Sequence, residues 1–215
     1  MFITIEGIDG SGKTTLTNSL REKFPEFHFT REPTDNFQFA NLKTLSSPYN
    51  SFYNFFLFTY DRLEHQNEIK TYKNVLCDRY LASSIAYEGP MIEKFFQDRD
   101  ETIKWMINVS KMLKMPDMII YLDVPLQVAL KRIKNNRKNL NFRGKQLSIL
   151  EESEGLKNIR EYYEYFFENI SVFMEMPIKI ERINAGRTSE LLRYSKIFLT
   201  LSYAGLISPF SSLAI

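Results

Sequence analysis

With one cysteine, Cys77, the chain cannot form an internal disulfide, and a reducing, cytoplasmic setting is the simple expectation. Cys77 ends an apolar run and reads as a buried strand residue. An excess of one charge is also missing: 28 basic against 26 acidic residues leave a net charge of +2. That balance argues against a nucleic-acid surface, so basic residues that cluster are better read as gathered around a small anion. Repeats, low-complexity tracts and long flexible linkers are absent. All 215 residues, 44% of them hydrophobic, are therefore expected in one compact domain. Met1 leads straight into a strand-like stretch, so no secretory signal is expected. Ile197 to Ile215 carry no charge. Thr200, Ser202, Gly205, Ser208, Pro209, Ser211 and Ser212 nevertheless make that stretch a poor membrane span. The expected form over about 189–215 is a last helix packed on the body, then an apolar tail that packs there or at a subunit contact.

What is present is an alternation of strand and helix. Strands are expected at Phe2–Glu6, Phe27–Thr30, Asn74–Asp78, Met118–Asp123 and Ile178–Asn184. Helices are expected at Thr14–Phe24, Phe52–Lys70, from Arg79 through Tyr87, at Glu101–Lys114, Pro125–Lys134, Leu150–Phe173 and Ser189–Tyr203. In the first of these, Leu16, Leu20 and Phe24 recur on one face. Pro125 suits a first helical position. Residues 135–147 are polar and basic and interrupt the pattern. Five strands separated by helices imply an α/β fold, a parallel sheet with helices on both faces. Ligands bind such sheets beyond the carboxyl ends of the strands. Gly7, Arg31, Asp78, Asp123 and Ala185 all stand at or just after those ends.

The stretch Gly7-Ile8-Asp9-Gly10-Ser11-Gly12-Lys13-Thr14 fits G-x-x-x-x-G-K-[ST], between a strand and a helix. Its glycines allow turns that bring backbone N–H groups onto phosphate oxygens, and the following helix adds its N-terminal dipole. Lys13 would bridge the terminal phosphates of ATP, and the Thr14 hydroxyl would bind Mg²⁺. The donor site is therefore placed on Gly7, Gly10, Ser11, Gly12, Lys13, Thr14 and Thr15, with Thr14 and Asp78 as metal candidates. The bland alternative, a chance match in a turn, lacks the flanking strand and helix that this chain supplies.

The remaining motifs decide what is done with the phosphate. No N-K-x-D is present, so the base reading of a GTPase is missing, and a motor ATPase would need more chain. Phe58 and Arg62 lie four apart in a helix and share a face; a ring beside a guanidinium fork suits a flat heterocycle bearing a carbonyl. Arg79, Ser83 and Tyr87 also recur at fours after Asp78, a set suited to a sugar phosphate. Each has a plainer reading. Phe58 sits among Phe52, Phe55 and Phe56 and would pass for core. Arg62 would pass for a surface ion pair with Asp61 or Glu68, and Tyr87 for packing under a loop at Gly89-Pro90.

Taken in series, Glu6–Thr15, Arg31-Glu32-Pro33, Phe58-x-x-x-Arg62, Asp78-Arg79-Tyr80-x-x-Ser83-x-x-Ala86-Tyr87, Leu122-Asp123-Val124-Pro125 followed by Val128-Ala129-Leu130-Lys131-Arg132, and Ile183-Asn184-Ala185-Gly186-Arg187 resemble the thymidylate kinases. The likeness runs in order from about residue 2 to about residue 195. It implies the three-layer fold of the P-loop NTPases, a homodimer, and ATP and dTMP as substrates in a Mg²⁺-dependent transfer. It implies that Phe58 stacks on thymine, Arg62 bonds its exocyclic oxygen, and Ser83 or Ser84 lies near the base edge. Tyr87 would pack beneath the deoxyribose and Arg79 hold the acceptor phosphate. Lys43 stands where relatives often carry a second phosphate-binding arginine. Asp9 would reach the sugar 3′-hydroxyl or the water shell of the metal. The segment 135–147 looks like a lid, and the loop Ala185-Gly186-Arg187 like the adenine rest. The phosphate loop carries no arginine, so the lid must supply the cation for the transferring group. Arg143, before Gly144, is preferred to Arg137, which with Lys138 also reads as an ordinary solvated basic loop. Departures are Thr34-Asp35 after Pro33, where many relatives have Gly-Gly, Ile85 where some have Gln, and the apolar tail.

Three other functions fit parts of this pattern. A deoxynucleoside kinase would use Glu32 as the base on a hydroxyl acceptor, but a neutral acceptor does not require Arg79 and Lys43. Another nucleoside monophosphate kinase would differ at Phe58, Arg62 and Tyr87. A nucleotide-gated binding protein would not need a lid with Arg143. No recognisable interaction module points to a protein partner.

Overall fold

A computed structural model describes residues 1–38, 41–137 and 153–186. Strand β1, Phe2–Glu6, is buried at every position. A run with no polar alternation belongs in the middle of a parallel sheet covered on both faces. It lies there: with β2 (His28–Arg31), β3 (Val75–Asp78), β4 (Met118–Asp123) and β5 (Lys179–Asn184), the sheet order is β2-β3-β1-β4-β5. Every pairing is parallel, with Ile3 opposite Leu76 on one side and Met118 on the other. The carboxyl ends of the strands therefore line up, and Glu6, Arg31, Asp78, Asp123 and Asn184 mark one edge.

Helix boundaries follow local chemistry. Helix α1, Lys13–Lys23, starts after Gly12, whose φ of 96° is left-handed and suits glycine. Helix α2 runs from Pro48 to Thr71, capped by the Ser47 side chain, which accepts from the Asn50 amide, with Pro48 at its start. It begins four residues before the expected Phe52 because that cap was not read. Helix α3 spans Leu81–Phe96 and ends at Gln97 with φ 57°. Asp98 caps α4, Arg99–Val109, whose first turn carries Asp100 and Glu101. Helices α5 (Leu126–Arg137), α6 (Ser153–Glu168) and α7 (Ile170–Phe173) complete the described set.

Several expectations are corrected. Helix α3 begins at Leu81, not Arg79, because Arg79 has φ 73° and Tyr80 is extended. Gly89 and Pro90 lie inside α3 rather than in a loop. Helix α5 continues to Arg137, so 135–137 are helical and not part of the lid. The single helix expected over 150–173 breaks between Glu168 and Ile170 at Asn169. The rest of the lid and the expected helix and tail over 189–215 lie outside the described residues. Among those described, no helix is long and apolar enough to cross a membrane. Cys77 is buried, as expected.

Candidate active site

The loop after β1 turns tightly. Gly10 has φ 77°, and a Cβ there would stand 2.6 Å from the Ala129 carbonyl oxygen; only glycine lets the loop lie against α5. The Lys13 ammonium donates to the carbonyls of Gly7 (2.8 Å) and Ile8 (2.9 Å). Burial is the main reason that its pKa falls to about 8, helped by the Arg79 charge. From α5, Arg132 donates to the carbonyls of Gly10 (3.1 Å) and Ala185 (2.9 Å). It therefore ties the phosphate loop to the turn expected to receive adenine. Sequence placed Arg132 at the end of the Val128–Arg132 stretch but gave it no role, because an arginine on a basic helix is not a distinctive signal.

Thr14 and Asp78 are brought together: the Thr14 hydroxyl donates to Asp78 Oδ2 at 3.2 Å. The other carboxylate oxygen, Oδ1, is buried without a partner. A hydroxyl beside a carboxylate with an open oxygen is a hard-oxygen set of the kind Mg²⁺ takes, so the residues present fit that ion.

Across the edge stand two arginines. Arg79 pairs with Asp9, donates to Ser83 Oγ at 3.4 Å and lies 5.0 Å from the Tyr87 ring centre. Burial opposes its charge, but Tyr87 and Asp9 together raise its pKa well above the ordinary value. The grouping of Arg79, Ser83 and Tyr87 is real, although its helical premise is not. Arg79 reaches the others from a left-handed turn that is held by Arg79 N–H to Ile5 O and Tyr80 N–H to Glu6 Oε1. Arg62 is 2% exposed. Its Nε donates to Glu32 Oε2 at 2.6 Å and its Nη2 to Ser84 Oγ at 3.1 Å. Its Nη1 is buried with no partner. Phe58 is stacked by Phe37, with ring centres 4.9 Å apart and planes 2° apart. The surface-pair reading of Arg62 is thus excluded.

The chain is similar to known proteins over most of its length. The family described as Thymidylate kinase matches residues 5–183 of this chain. A probable thymidylate kinase from Picrophilus torridus is 47% identical over 86% of this chain and 88% of its own length. This chain belongs to the thymidylate kinase family. A probable thymidylate kinase from Thermoplasma acidophilum is 37% identical over 77% of this chain and 83% of its own length. Among solved structures, deoxyadenosine kinase from M. mycoides with bound dATP superposes with a TM-score of 0.69 at 18% identity, covering 94% of this chain and 100% of that one. Thymidylate kinase from Candida albicans does so with 0.64 at 18% identity, covering 95% and 92%. At that identity both show the shared fold alone, that of the P-loop kinases.

Within this family member the remaining residues divide clearly. Ser83 donates to Glu6 at 2.6 Å and meets Tyr163 at 2.8 Å, so it serves the buried carboxylate; of the two serines, Ser84 is the one on the Arg62 side. Lys43 places its ammonium 5.5 Å from the Tyr53 ring centre. Thr15 is exposed on α1. Arg143 and Arg187, and the Arg137 side chain, lie outside the described residues. Glu6, Glu32, Phe37 and Tyr163 were not assigned these roles from sequence, since their partners come from distant elements.

Glu88 lies one turn beyond Ser84 on α3, and its Oε2 is buried without a partner. Burial raises its pKa from 4.5 to about 8. The folded chain thus holds an extra proton between those values, and stability present at low pH is lost as pH rises through about 8. Glu88→Gln should remove that loss. Melting temperatures followed from pH 5 to pH 9 should show the wild type falling by several degrees relative to the variant. Parallel curves would mean that Glu88 is not held protonated.

Proposed function

We propose that the chain transfers the γ-phosphoryl group of ATP to dTMP, giving ADP and dTDP. The observation that carries this reading is the state of Glu32. Both of its oxygens are taken, one by Arg62 Nε at 2.6 Å and one by His65 Nδ1 at 3.0 Å. A deoxynucleoside kinase would need that carboxylate as a base on a hydroxyl. An acceptor that is already a phosphate dianion needs none; it needs alignment and positive charge. Arg79 supplies that charge, and Asp9 is the counter-ion it would exchange for phosphate. Lys43 adds a second cation by side-chain rotation.

The donor would lie on Gly7, Gly10, Ser11, Gly12, Lys13, Thr14 and Thr15, with Arg187 at the adenine rest and Arg137 near the phosphates. Thr14 and Asp78 would hold Mg²⁺, which when bound offsets phosphate charge. For the acceptor, Phe58 offers the ring face not covered by Phe37 and Arg62 Nη1 donates to the base carbonyl. Ser84 stands at the base edge and Tyr87 packs beneath the deoxyribose. The lid would bring Arg143 to the transferring group.

Chromatography of products formed from ATP–Mg²⁺ with dTMP, thymidine, dUMP, UMP, AMP and GMP tests this directly. dTDP is the expected main product; product from thymidine alone would return the chemistry to Glu32. Arg143→Ala should leave dTMP affinity near wild type and lower turnover by ~10³-fold; near-normal turnover would remove Arg143 from the mechanism.

The reading includes a homodimer in the cytoplasm. Along α2, Tyr49, Tyr53, Phe56, Tyr60 and Leu63 are between 40% and 75% exposed. Their spacing of four, three, four and three is the seam of two packed helices, and an aromatic stripe of that length is unusual on a monomer. Sedimentation should show a dimer, and Tyr60→Glu a monomer that keeps its melting behaviour. A monomeric wild type would leave the stripe unexplained.

A further inference from the structure

The base-reading arginine is not aimed by its immediate partner alone. Arg62 and His65 lie three apart on α2 and reach the same carboxylate, one to each oxygen: Arg62 Nε to Oε2 and His65 Nδ1 to Oε1. The His65 side chain is fully buried. Its other nitrogen, Nε2, meets Thr30 Oγ1 on β2 at 2.8 Å, with Glu68 Oε2 farther away at 3.5 Å. A carboxylate accepts from its partners, so the contact assigns an N–H to His65 Nδ1. A carboxylate free on one side takes two N–H groups of a guanidinium in a fork. Here His65 holds one oxygen, and Glu32 meets Arg62 through the single bond from Nε. On Arg62, Nη2 is thereby left to Ser84, and Nη1 stands with no hydrogen-bond partner.

We propose that His65 is a positioning residue for acceptor recognition: it holds Glu32 to a single bond with Arg62, and so keeps Nη1 directed at the carbonyl of the acceptor base. Strand β2, through Thr30, anchors the outer end of this chain of contacts. The inference rests on the reading of dTMP as acceptor and Arg62 as its base contact. Without His65, Glu32 is free to turn and take Nη2 together with Nε, which draws the guanidinium off Ser84 and swings Nη1 out of line with the acceptor base, while the ATP side is untouched.

The test is steady-state kinetics on the full chain, with KM resolved for each substrate. His65→Leu should raise KM for dTMP roughly tenfold, the scale of one lost hydrogen bond. KM for ATP and turnover at saturating dTMP should stay within about twofold of wild type, a split that general loosening of the fold does not give. His65→Asn, which keeps a donor near the Nδ1 position, should recover most of the loss. An unchanged KM for dTMP, a parallel rise for ATP, or no recovery with Asn overturns the inference. If His65→Leu does not fold, Thr30→Val carries the same test at the outer anchor, with a smaller rise confined to dTMP expected and no rise overturning it. The chain has only two histidines, so ¹⁵N imidazole shifts give an independent answer. A proton on His65 Nδ1 is expected, and a bare Nδ1 overturns the assignment. An Arg62→Gln variant separates this from the parent reading. If Arg62→Gln leaves KM for dTMP unchanged, the base-reading role of Arg62 fails. If Arg62→Gln raises it while His65→Leu does not, only the positioning role of His65 fails.

Discussion

The active edge is organised around one carboxylate with no exposure to water. Glu6 closes β1 and is 0% exposed. A buried carboxylate is costly unless its oxygens are filled by donors. Three donors fill them: the Tyr80 amide at 2.8 Å, the Ser83 hydroxyl at 2.6 Å and the Tyr163 hydroxyl at 3.1 Å. They come from the turn before α3, from α3 itself and from α6. One side chain thus joins the strand that carries the phosphate loop to α3 and α6. It also accounts for the unusual backbone at Arg79. The bond from Tyr80 N–H to Glu6 requires the chain to turn sharply after Asp78, and the left-handed Arg79 is that turn. Burial raises the Glu6 pKa, and its hydrogen bonds and the charges of Arg79 and Lys13 work against that rise.

The site's cations each rest on a local partner. Lys13 is held by loop carbonyls, Arg79 by Asp9, Arg62 by Glu32 and Arg132 by the carbonyls of Gly10 and Ala185. A net charge of +2 conceals this concentration. Such pairs contribute little net stability when buried, because desolvation offsets attraction. In the proposed transfer their value would lie in orientation, since a guanidinium or ammonium held before the substrates arrive lowers the reorganisation that the reaction requires. The two sides differ in kind. The donor side is mostly backbone, glycine turns and a helix start. The proposed acceptor side is mostly side chains from α2 and α3, which would read the identity of the base.

What the sequence determined by itself is the set of features whose cause is local. The five strands follow from short apolar runs closed by polar residues. The phosphate loop follows from glycine spacing between a strand and a helix, and Phe58 with Arg62 from helical spacing. These signals depend on near neighbours and survive without knowledge of the fold. Arg79, Ser83 and Tyr87 show the limit, since their grouping was reached through a helix that starts two residues later than assumed. Only the tertiary structure could decide the partners of charged groups. That Arg62 is buried on Glu32, that His65 holds the other oxygen, that Ser83 serves Glu6 while Ser84 serves Arg62, and that Phe37 covers Phe58 all depend on separate elements meeting. Periodicity reports which face a residue occupies, whereas a hydrogen bond or ion pair acts over about 3 Å between atoms tens of residues apart, and that distance exists only once the sheet and helices have packed.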